Sequence, residues 1–231
     1  LRPLGPPTWL KSVISTGIGP DNIDIVINEL DALAHIDLKT KEIKAIGRTL
    51  NIVRIGTSGS VQADIPVDSF VISEKSIGCD GVLRFYANNE SVCDHPFEEA
   101  FIRHCRWTPS AARPYVVNAD PGLVDRLYDE EHTIKGVTLT AVGFYGPQGR
   151  VLRLPLAMPG INDRITAFRY EGYKVTNYEM ESAAITGLCN LLGHRAATIC
   201  LIIANRINGD ASADYHSYMN KLIRYTLEKL S

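Results

Sequence analysis

Residues 196–204 read Ala-Ala-Thr-Ile-Cys-Leu-Ile-Ile-Ala and decide the fold class. Such an apolar run predicts a strand buried on both faces of a sheet, because a half-buried strand would alternate polar and apolar residues. Directly before it, residues 182–192 are small and apolar, and they predict a helix that ends at Gly193. After it, residues 215–230 have the apolar spacing of an amphipathic helix. A buried strand between two helices is typical of an α/β protein.

The alternation of strands and helices continues toward the N-terminus. Strands are predicted at 12–15, 51–55, 67–73, 115–117 and 138–144, and helices at 23–33, 97–104 and 121–127. Pro20 suits the start of the first of these helices, with Asp21 and Asn22 as candidate caps. Residues 1–10 contain three prolines and fit no element. We therefore expect one α/β domain with helices on both sides of the sheet.

Charge and composition exclude several classes of protein. The chain has 231 residues, with 24 basic against 26 acidic side chains, which removes the positive surface expected of a nucleic-acid-binding protein. No apolar run approaches the ~18 residues of a membrane span, and no signal peptide opens the sequence. We therefore expect a cytoplasmic protein that binds neither nucleic acid nor a membrane.

The cysteines do not predict a disulfide framework or a metal site. Their number, five, is odd, and no C-x-x-C pair occurs. The nearest approach to a metal cluster is Cys93, His95, His104 and Cys105, whose spacing resembles no standard site. We therefore expect no metal.

Glycine-rich turns follow two of the early strands, and ligands bind at such strand ends because backbone N–H groups there are free. Gly17-Ile18-Gly19 precedes the first helix, where a turn requires glycine even without a ligand. Arg54-Ile55-Gly56-Thr57-Ser58-Gly59 combines a fork of donors with hydroxyls and an unobstructed backbone N–H. That combination predicts a cradle for phosphate or another oxyanion. The alternative is a surface arginine beside a turn.

Two later stretches carry the groups that a nucleoside requires. Residues 144–150, Phe-Tyr-Gly-Pro-Gln-Gly-Arg, offer rings to stack on, an amide and a guanidinium, which together suit a flat heterocycle. A polar loop with aromatic anchors is the alternative. In Glu179-Met180-Glu181, a carboxylate can accept both hydroxyls of a ribose while Met covers an apolar face of the sugar. Glutamates are also favoured at any helix start, so this stretch alone leaves both interpretations open.

Taken together, these stretches resemble the nucleoside phosphorylase family, in particular its uridine phosphorylase branch, over nearly the whole chain from Thr8. The matching motifs, in order, are Ser15-Thr16-Gly17-Ile18-Gly19, Arg54 to Gly59, Phe144-Tyr145 with Gln148-x-Arg150, and Asn177-Tyr178-Glu179-Met180-Glu181-Ser182. The resemblance implies a three-layer α/β/α fold around a twisted mixed sheet, and dimers that commonly assemble into hexamers. The implied activity is reversible phosphorolysis of uridine to uracil and ribose 1-phosphate, with inorganic phosphate as co-substrate and no cofactor.

The resemblance also implies a role for each site residue. Phosphate is expected at Arg54, Gly56 and Thr57, and ribose at Thr57, Met180 and Glu181. The residues expected around the base are Ser58, Gly59, Phe144, Gln148, Arg150, Tyr178 and Arg206. Catalysis is expected from Arg54, Gln148, Arg150 and Glu181, because bonds to the base strengthen as negative charge develops on its carbonyl oxygens. No protein nucleophile is required, since phosphate attacks the anomeric carbon directly.

One position favours uridine over purine nucleosides. Purine-specific relatives carry an acid that protonates purine N7, whereas Ala204-Asn205-Arg206 has an amide at that place, and an amide cannot act as an acid. The pyrimidine branch has an arginine that corresponds to Arg206.

The N-terminus departs from the family pattern. The family begins with a strand and a Gly-Asp-x-x-Arg phosphate loop, preceded by a His that reaches a neighbouring subunit, and neither is present here. Leu1-Arg2-Pro3 resembles the residues just after that His, while Thr8-Trp9 resembles a strand well downstream. We interpret residues 1–231 as a single domain from whose sequence the intervening N-terminal segments are missing.

Three alternatives to uridine phosphorolysis remain at this point. A nucleosidase would hydrolyse the same glycosidic bond with water, and the absent phosphate loop leaves that open. A purine-accepting nucleoside phosphorylase would share the fold. A non-catalytic nucleoside-binding protein would keep the pocket, although it has little use for Arg54.

Overall fold

The structure, a computed structural model, describes residues 11–231. Within this range the α-helices are α1 (Pro20–His35), α2 (His95–Cys105), α3 (Pro121–Leu127), α4 (Ile161–Ala167), α5 (Ser182–Leu192) and α6 (Tyr215–Lys229). The strands are β1 (Ile36–Asp37), β2 (Glu42–Ile43), β3 (Asn51–Ser60), β4 (Phe70–Gly78), β5 (Tyr115–Asn118), β6 (Thr133–Thr140), β7 (Arg169–Tyr170), β8 (Tyr173–Glu179), β9 (Arg195–Asn205) and β10 (Asp210–Ala211). Short 3-10 helices lie at Val82–Phe85, Asn89–Val92 and Gly146–Gln148.

The central sheet is mixed, with the order β10-β9-β3-β8-β6-β4-β5 and β7 paired to β8. β3 runs parallel to β9, and β6 runs parallel to both β4 and β8. The end of β3, at Gly59 and Ser60, pairs antiparallel with β8. β4 also pairs antiparallel with β9, which closes β9, β3, β8, β6 and β4 into a ring. The carboxyl ends of β3, β8 and β9 therefore lie side by side.

The expected layers of helix on both faces of the sheet are confirmed by the packing of β3 and β9. Ala196 and Ile52 pack in a cluster with residues of α1 and α5, whereas Ala197, Ile199 and Val53 pack with residues of α3 and α6. Successive side chains of a strand point to opposite faces, so this alternation requires a helix layer on each side. Arg54 points to the α5 side of β3, since it shares the face of Ile52.

Several predicted elements differ from the structure. Residues 12–15 form no strand, and Val13 is 89% exposed, because no neighbouring strand pairs with this segment in the described range. The strand predicted at 51–55 continues through the glycines to Ser60, because β8 and β9 supply hydrogen-bonding partners on both sides. The strand predicted at 67–73 lies at 70–78 in the structure, as β4, and the strand predicted at 138–144 lies at 133–140, as β6. β8 was not predicted as a strand.

The helix ends follow their local sequence in most cases. α5 ends at Gly193, whose φ of 76° is left-handed, as predicted. α1 begins with Pro20 in its first turn, but its cap is Gly19, without a side-chain cap bond, rather than Asp21 or Asn22. The expectation that residues 1–10 fit no element lies outside the described residues. In the range that the structure covers, none of the helices is long and apolar enough to cross a membrane.

Candidate active site

Arg54 lies in the middle of β3, and its side chain lies over the backbone of Gly56. A Cβ atom on Gly56 would lie 2.6 Å from Nη1 and 2.7 Å from Cζ of Arg54. The guanidinium therefore occupies the space above the Gly56 backbone, and any larger residue at position 56 would displace it. The glycine spacing seen in the sequence thus has a steric reason in the structure.

Two carboxylates and a thiol surround the Arg54 guanidinium. Its Nη2 bonds the Glu181 carboxylate, and its Nη1 lies 3.2 Å from Oε2 of Glu179 and 3.2 Å from Sγ of Cys200. Burial by itself lowers the pKa of Arg54, but the Glu179 carboxylate and the other acidic neighbours raise it above its usual value. The guanidinium is therefore permanently charged. We call these four residues the arginine–carboxylate cluster.

Glu179 is buried and organises the turn between β8 and α5. Its Oε2 accepts hydrogen bonds from the backbone N–H groups of Glu181 (2.7 Å) and Ser182 (2.8 Å), and its Oε1 accepts one from Thr140 Oγ1 (2.5 Å). Burial raises the pKa of Glu179 above its usual value, while Arg54 opposes that shift. Glu179 thereby fixes the position of Glu181, a contribution that sequence reasoning missed.

The first glycine turn reaches the same cluster. The backbone N–H of Gly19, at the start of α1, donates to Oε1 of Glu181 at 2.6 Å. Gly19 has a φ of 99°, which L side chains rarely adopt, and this conformation is needed to aim its N–H at the carboxylate. Arg54 of β3, the turn at Gly19 and the helix start at Glu181 therefore meet in one place.

The second group of predicted residues is centred on the buried side chain of Gln148. Its Oε1 accepts hydrogen bonds from Nη1 of Arg150 at 2.6 Å and from Nη2 of Arg206. The guanidinium of Arg150 lies 3.9 Å from the ring centre of Phe144, and that of Arg206 lies 4.4 Å from the ring centre of Tyr178. We call these five residues the amide–arginine cluster.

The amide–arginine cluster is rich in donors and positively charged. Neither Arg150 nor Arg206 forms a salt bridge within residues 11–231, and the buried Nε of Arg206 has no hydrogen-bond partner there. Burial, followed by the neighbouring Arg150, lowers the pKa of Arg206 to about 10. Burial also lowers the pKa of Arg150. Two cations with unused donors favour a ligand that presents carbonyl or anionic oxygens.

Asn162, at the start of α4, holds the loop that carries Gln148. Its Nδ2 donates to the carbonyl oxygens of Gln148 (3.2 Å) and Gly149 (3.3 Å), and its Oδ1 accepts from the Tyr178 hydroxyl at 3.3 Å. Sequence reasoning missed Asn162, because nothing in the local pattern of residues 161–167 marks it.

Four further predicted residues lie on β3 and in the turn after β8. Thr57 and Met180 are half-buried, on β3 and in the turn after β8. A Cβ on Gly59 would lie 3.4 Å from Nε of Arg206, so Gly59 borders the amide–arginine cluster. The Ser58 hydroxyl is buried and accepts a hydrogen bond from Asn177 at 3.0 Å.

The side-chain amide of Asn205 forms all its hydrogen bonds with backbone groups. Its Nδ2 donates to the carbonyl oxygens of Gln62 and Ile65, and its Oδ1 accepts from the N–H groups of Ile207 and Asn208. This amide has no free atom for a ligand, and it shapes the turn after β9 that carries Arg206.

Within residues 11–231, the cysteines and histidines that the sequence analysis considered for metal binding do not form a group of neighbouring ligand atoms. Cys93 donates to the carbonyl oxygen of Asn89, and His104 contacts the carbonyl oxygen of Arg164. Cys105 is buried in an apolar cluster.

Comparison with known proteins shows the family to which the chain belongs. A family model described as the phosphorylase superfamily matches residues 9–226. Uridine phosphorylase from Thermococcus kodakarensis is 27% identical over 205 residues, 86% of this chain and 59% of the relative. Uridine phosphorylase from Haemophilus influenzae is 26% identical over 201 residues, 84% of this chain and 64% of the relative.

A solved structure has the same fold. The crystal structure of a Trypanosoma brucei nucleoside phosphorylase, which shows uridine phosphorylase activity, matches with a TM-score of 0.80 at 26% identity. The match covers 94% of this chain and 78% of that one. The chain spans less than two thirds of the length of the two curated relatives above.

Proposed function

This chain belongs to the phosphorylase superfamily, and on that basis we propose that it is a uridine phosphorylase. The reaction transfers ribose from uridine to inorganic phosphate and releases uracil and ribose 1-phosphate. The observation that carries the proposal is the amide–arginine cluster, in which two guanidinium groups border one buried amide and have no carboxylate partner among residues 11–231. Residues 178–181 join this cluster directly to the arginine–carboxylate cluster. A nucleoside, whose base is covalently bonded to its ribose, would bind with the base at the amide–arginine cluster and the ribose at the arginine–carboxylate cluster.

Base recognition at the amide–arginine cluster follows from donor geometry. Cleavage of the glycosidic bond leaves negative charge on the carbonyl oxygens of uracil, and Arg150 and Arg206 donate to oxygens placed between them. The bond from each guanidinium strengthens as that charge develops, which stabilises the transition state more than the bound uridine. Gln148 Oε1 already accepts from both arginines, so it must exchange one of these bonds to accept the N3–H of the base.

Ribose and phosphate are assigned to the arginine–carboxylate cluster. We propose that the Glu181 carboxylate binds the ribose hydroxyls while Met180 covers an apolar face of the sugar. Arg54, Gly56 and Thr57 bind phosphate, whose oxygen attacks the anomeric carbon as the bond to the base breaks. The glycosidic electron pair leaves with the uracil, so the protein needs no nucleophile of its own.

A specific observation favours a nucleosidase as the second candidate. Arg54 already contacts Glu179 and Glu181, so a phosphate dianion must compete with two carboxylates for one guanidinium. Water carries no charge, so it would not compete with these carboxylates for the guanidinium. Hydrolysis of the same bond would release free ribose instead of ribose 1-phosphate.

One assay separates the candidates. We expect uridine to be converted to uracil only when phosphate is present, with inosine turned over far more slowly. Uracil release that does not depend on phosphate would favour the nucleosidase. Inosine turnover near the uridine rate would favour a purine-accepting phosphorylase. Tight uridine binding without turnover under either condition would indicate a non-catalytic nucleoside-binding protein.

We further propose that the enzyme is a cytoplasmic homo-oligomer, a dimer or a hexamer, that acts in pyrimidine salvage and nucleoside catabolism. The resemblance to the nucleoside phosphorylase family supports this assignment. Light scattering of the purified chain measures the oligomer directly. We also propose that the reaction uses no cofactor or metal, so activity should survive exhaustive dialysis against a chelator.

A further inference from the structure

Three potential metal ligands meet far from the proposed active site, where the end of α1 faces the start of β9. Asp31 and His35 lie one helical turn apart on α1, and His194 lies between the end of α5 and β9. Oδ1 of Asp31 is 2.8 Å from Nδ1 of His35 and 3.2 Å from Nε2 of His194. Each residue offers one ligand atom, and these atoms all lie within 4.8 Å of one another.

Asp31 contacts both imidazole rings at ion-pair distance, but neither contact has the alignment of a hydrogen bond. Nδ1 of His35 and Nε2 of His194 are both buried, and neither has a hydrogen-bond partner in the described range. The His194 side chain is fully buried, so its unpartnered nitrogen cannot be satisfied by bulk water. Donor atoms on a tetrahedral Zn²⁺ lie about 3.3 Å apart, since each bond to the ion is about 2.0–2.1 Å long. The spacing of 3.2 Å between Asp31 and His194 matches this value, whereas the 2.8 Å between Asp31 and His35 must widen by about 0.5 Å when the ion binds.

The surroundings hold the two imidazole rings in place. The rings of His35 and His194 are stacked, with centroids 5.3 Å apart and an interplanar angle of 27°. A Cβ on Gly47 would lie 2.0 Å from Cδ2 of His35, so the segment after β2 packs directly on that ring. The ligands are therefore positioned by a helix, by the turn between α5 and β9 and by a closely packed glycine, which limits how far they can move apart.

One hydrogen bond competes with metal binding. The backbone N–H of Leu50 donates to Nδ1 of His194 at 3.2 Å, which places the proton of the neutral ring on Nε2. When Nε2 ligates a metal, this proton moves to Nδ1 and the Leu50 bond is lost. A single backbone hydrogen bond contributes far less than ligation of Zn²⁺, so the exchange remains favourable.

We propose that Asp31, His35 and His194 bind one Zn²⁺ ion, in a site separate from the residues assigned to uridine and phosphate. Two imidazole nitrogens and one carboxylate oxygen belong to the ligand set that Zn²⁺ prefers, and three protein ligands leave a fourth position for water. The ion joins the end of α1 to the start of β9, and with them the segment 36–50 that packs on His35.

Calorimetric titration of Zn²⁺ into chelator-treated chain, without a histidine tag, tests the site. We expect one ion per chain, and we expect His35→Ala and Asp31→Asn each to weaken binding at least about tenfold. Both residues are partly exposed, so the variants should fold, and their melting temperatures check this. Co²⁺ in place of Zn²⁺ should give the visible absorption of a tetrahedral site, and this absorption should be lost in both variants.

His95 provides the matched control, because its ring nitrogens lie 3.3 Å from the carboxylates of Glu90 and Glu98. We expect His95→Ala to bind Zn²⁺ as tightly as the unchanged chain. Absence of binding would overturn the proposal, as would unchanged affinity in His35→Ala or loss of the ion in His95→Ala. None of these measurements depends on turnover of uridine, so their outcome is independent of the proposed activity.

Discussion

At the scale of single residues, Arg54 is the group on which the proposed phosphate site depends. Removing it altogether would leave Glu179 and Glu181 buried without their cation, at a cost of about 3–5 kcal/mol of stability. Arg54→Lys keeps the charge but loses the fork of donors. We expect this variant to fold and to show at least about a tenfold rise in KM for phosphate, or 1.4 kcal/mol. Steady-state kinetics at saturating uridine measure the change, and an unchanged KM would remove Arg54 from the phosphate site.

Glu181 distinguishes a ribose ligand from an ordinary helix-start glutamate. Glu181→Gln keeps an acceptor oxygen for the N–H of Gly19 but removes the charge. We expect kcat to fall strongly, because the carboxylate matters most as the sugar gains positive charge. A helix-start role alone would alter stability by less than ~1 kcal/mol and leave turnover normal. Turnover and melting temperature, measured on the same preparation, decide between the two roles.

The Oε1 atom of Gln148 accepts hydrogen bonds from two arginines. In Gln148→Ala, Arg150 and Arg206 lose their shared acceptor and face each other as like charges. We expect kcat for uridine to fall as well as the affinity, because the donors no longer point to the position of the base. A rise in KM with unchanged kcat would mean that Gln148 contributes equally to the bound substrate and the transition state. Activity with cytidine provides the comparison for base selection.

At the scale of elements, β3 carries both Arg54 and Gly56, and the Arg54 side chain lies over the Gly56 backbone. In Gly56→Ala the new Cβ would meet the Arg54 guanidinium at 2.6–2.7 Å, so the guanidinium must leave its place between the carboxylates. Gly56 has no positive φ, and the strand itself should therefore accept alanine. We expect activity to be largely lost and the melting temperature to fall, because Glu179 and Glu181 then lose their buried cation. Full activity in Gly56→Ala would show that Arg54 tolerates another position.

At the scale of the whole molecule, a buried carboxyl makes stability depend on pH. Asp80 accepts hydrogen bonds from the N–H of Val82 and the hydroxyl of Tyr115, and burial raises its pKa to about 6. A carboxyl whose pKa is higher in the folded chain binds more protons there than when unfolded. Its contribution is therefore present below the unfolded pKa and lost as the pH rises through about 6.

We expect Asp80→Asn to lessen this loss, since the amide keeps an acceptor without ionising. The gain relative to the unchanged chain should grow from pH 4 to pH 7 and reach about 3 kcal/mol. Urea unfolding at several pH values measures this gain. Asp64→Asn is the control, because Asp64 is exposed and forms an ion pair with Lys174. A difference that does not vary with pH would contradict the assignment to Asp80.

Much of the fold follows from local sequence. The apolar run 196–204 and the small-residue run 182–192 correspond closely to β9 and α5, because burial on both faces of a strand and a glycine stop leave clear local patterns. The four motif stretches were also visible. Strand boundaries were less accurate, since they depend on which neighbour offers backbone hydrogen bonds, as the extension of β3 to Ser60 illustrates.

Only the tertiary structure decided which groups meet. Gly19 and Glu181 are 162 residues apart in sequence, and Arg206 and Gln148 are 58 apart, yet each pair is hydrogen-bonded. The contacts of Glu179, the role of Asn162 and the pairing of His35 with His194 were not predicted for the same reason. Periodicity and turn residues report how a segment presents its side chains to a core. The partner across the core is selected by the closure of the sheet and the packing of its helices, which depend on the whole chain at once.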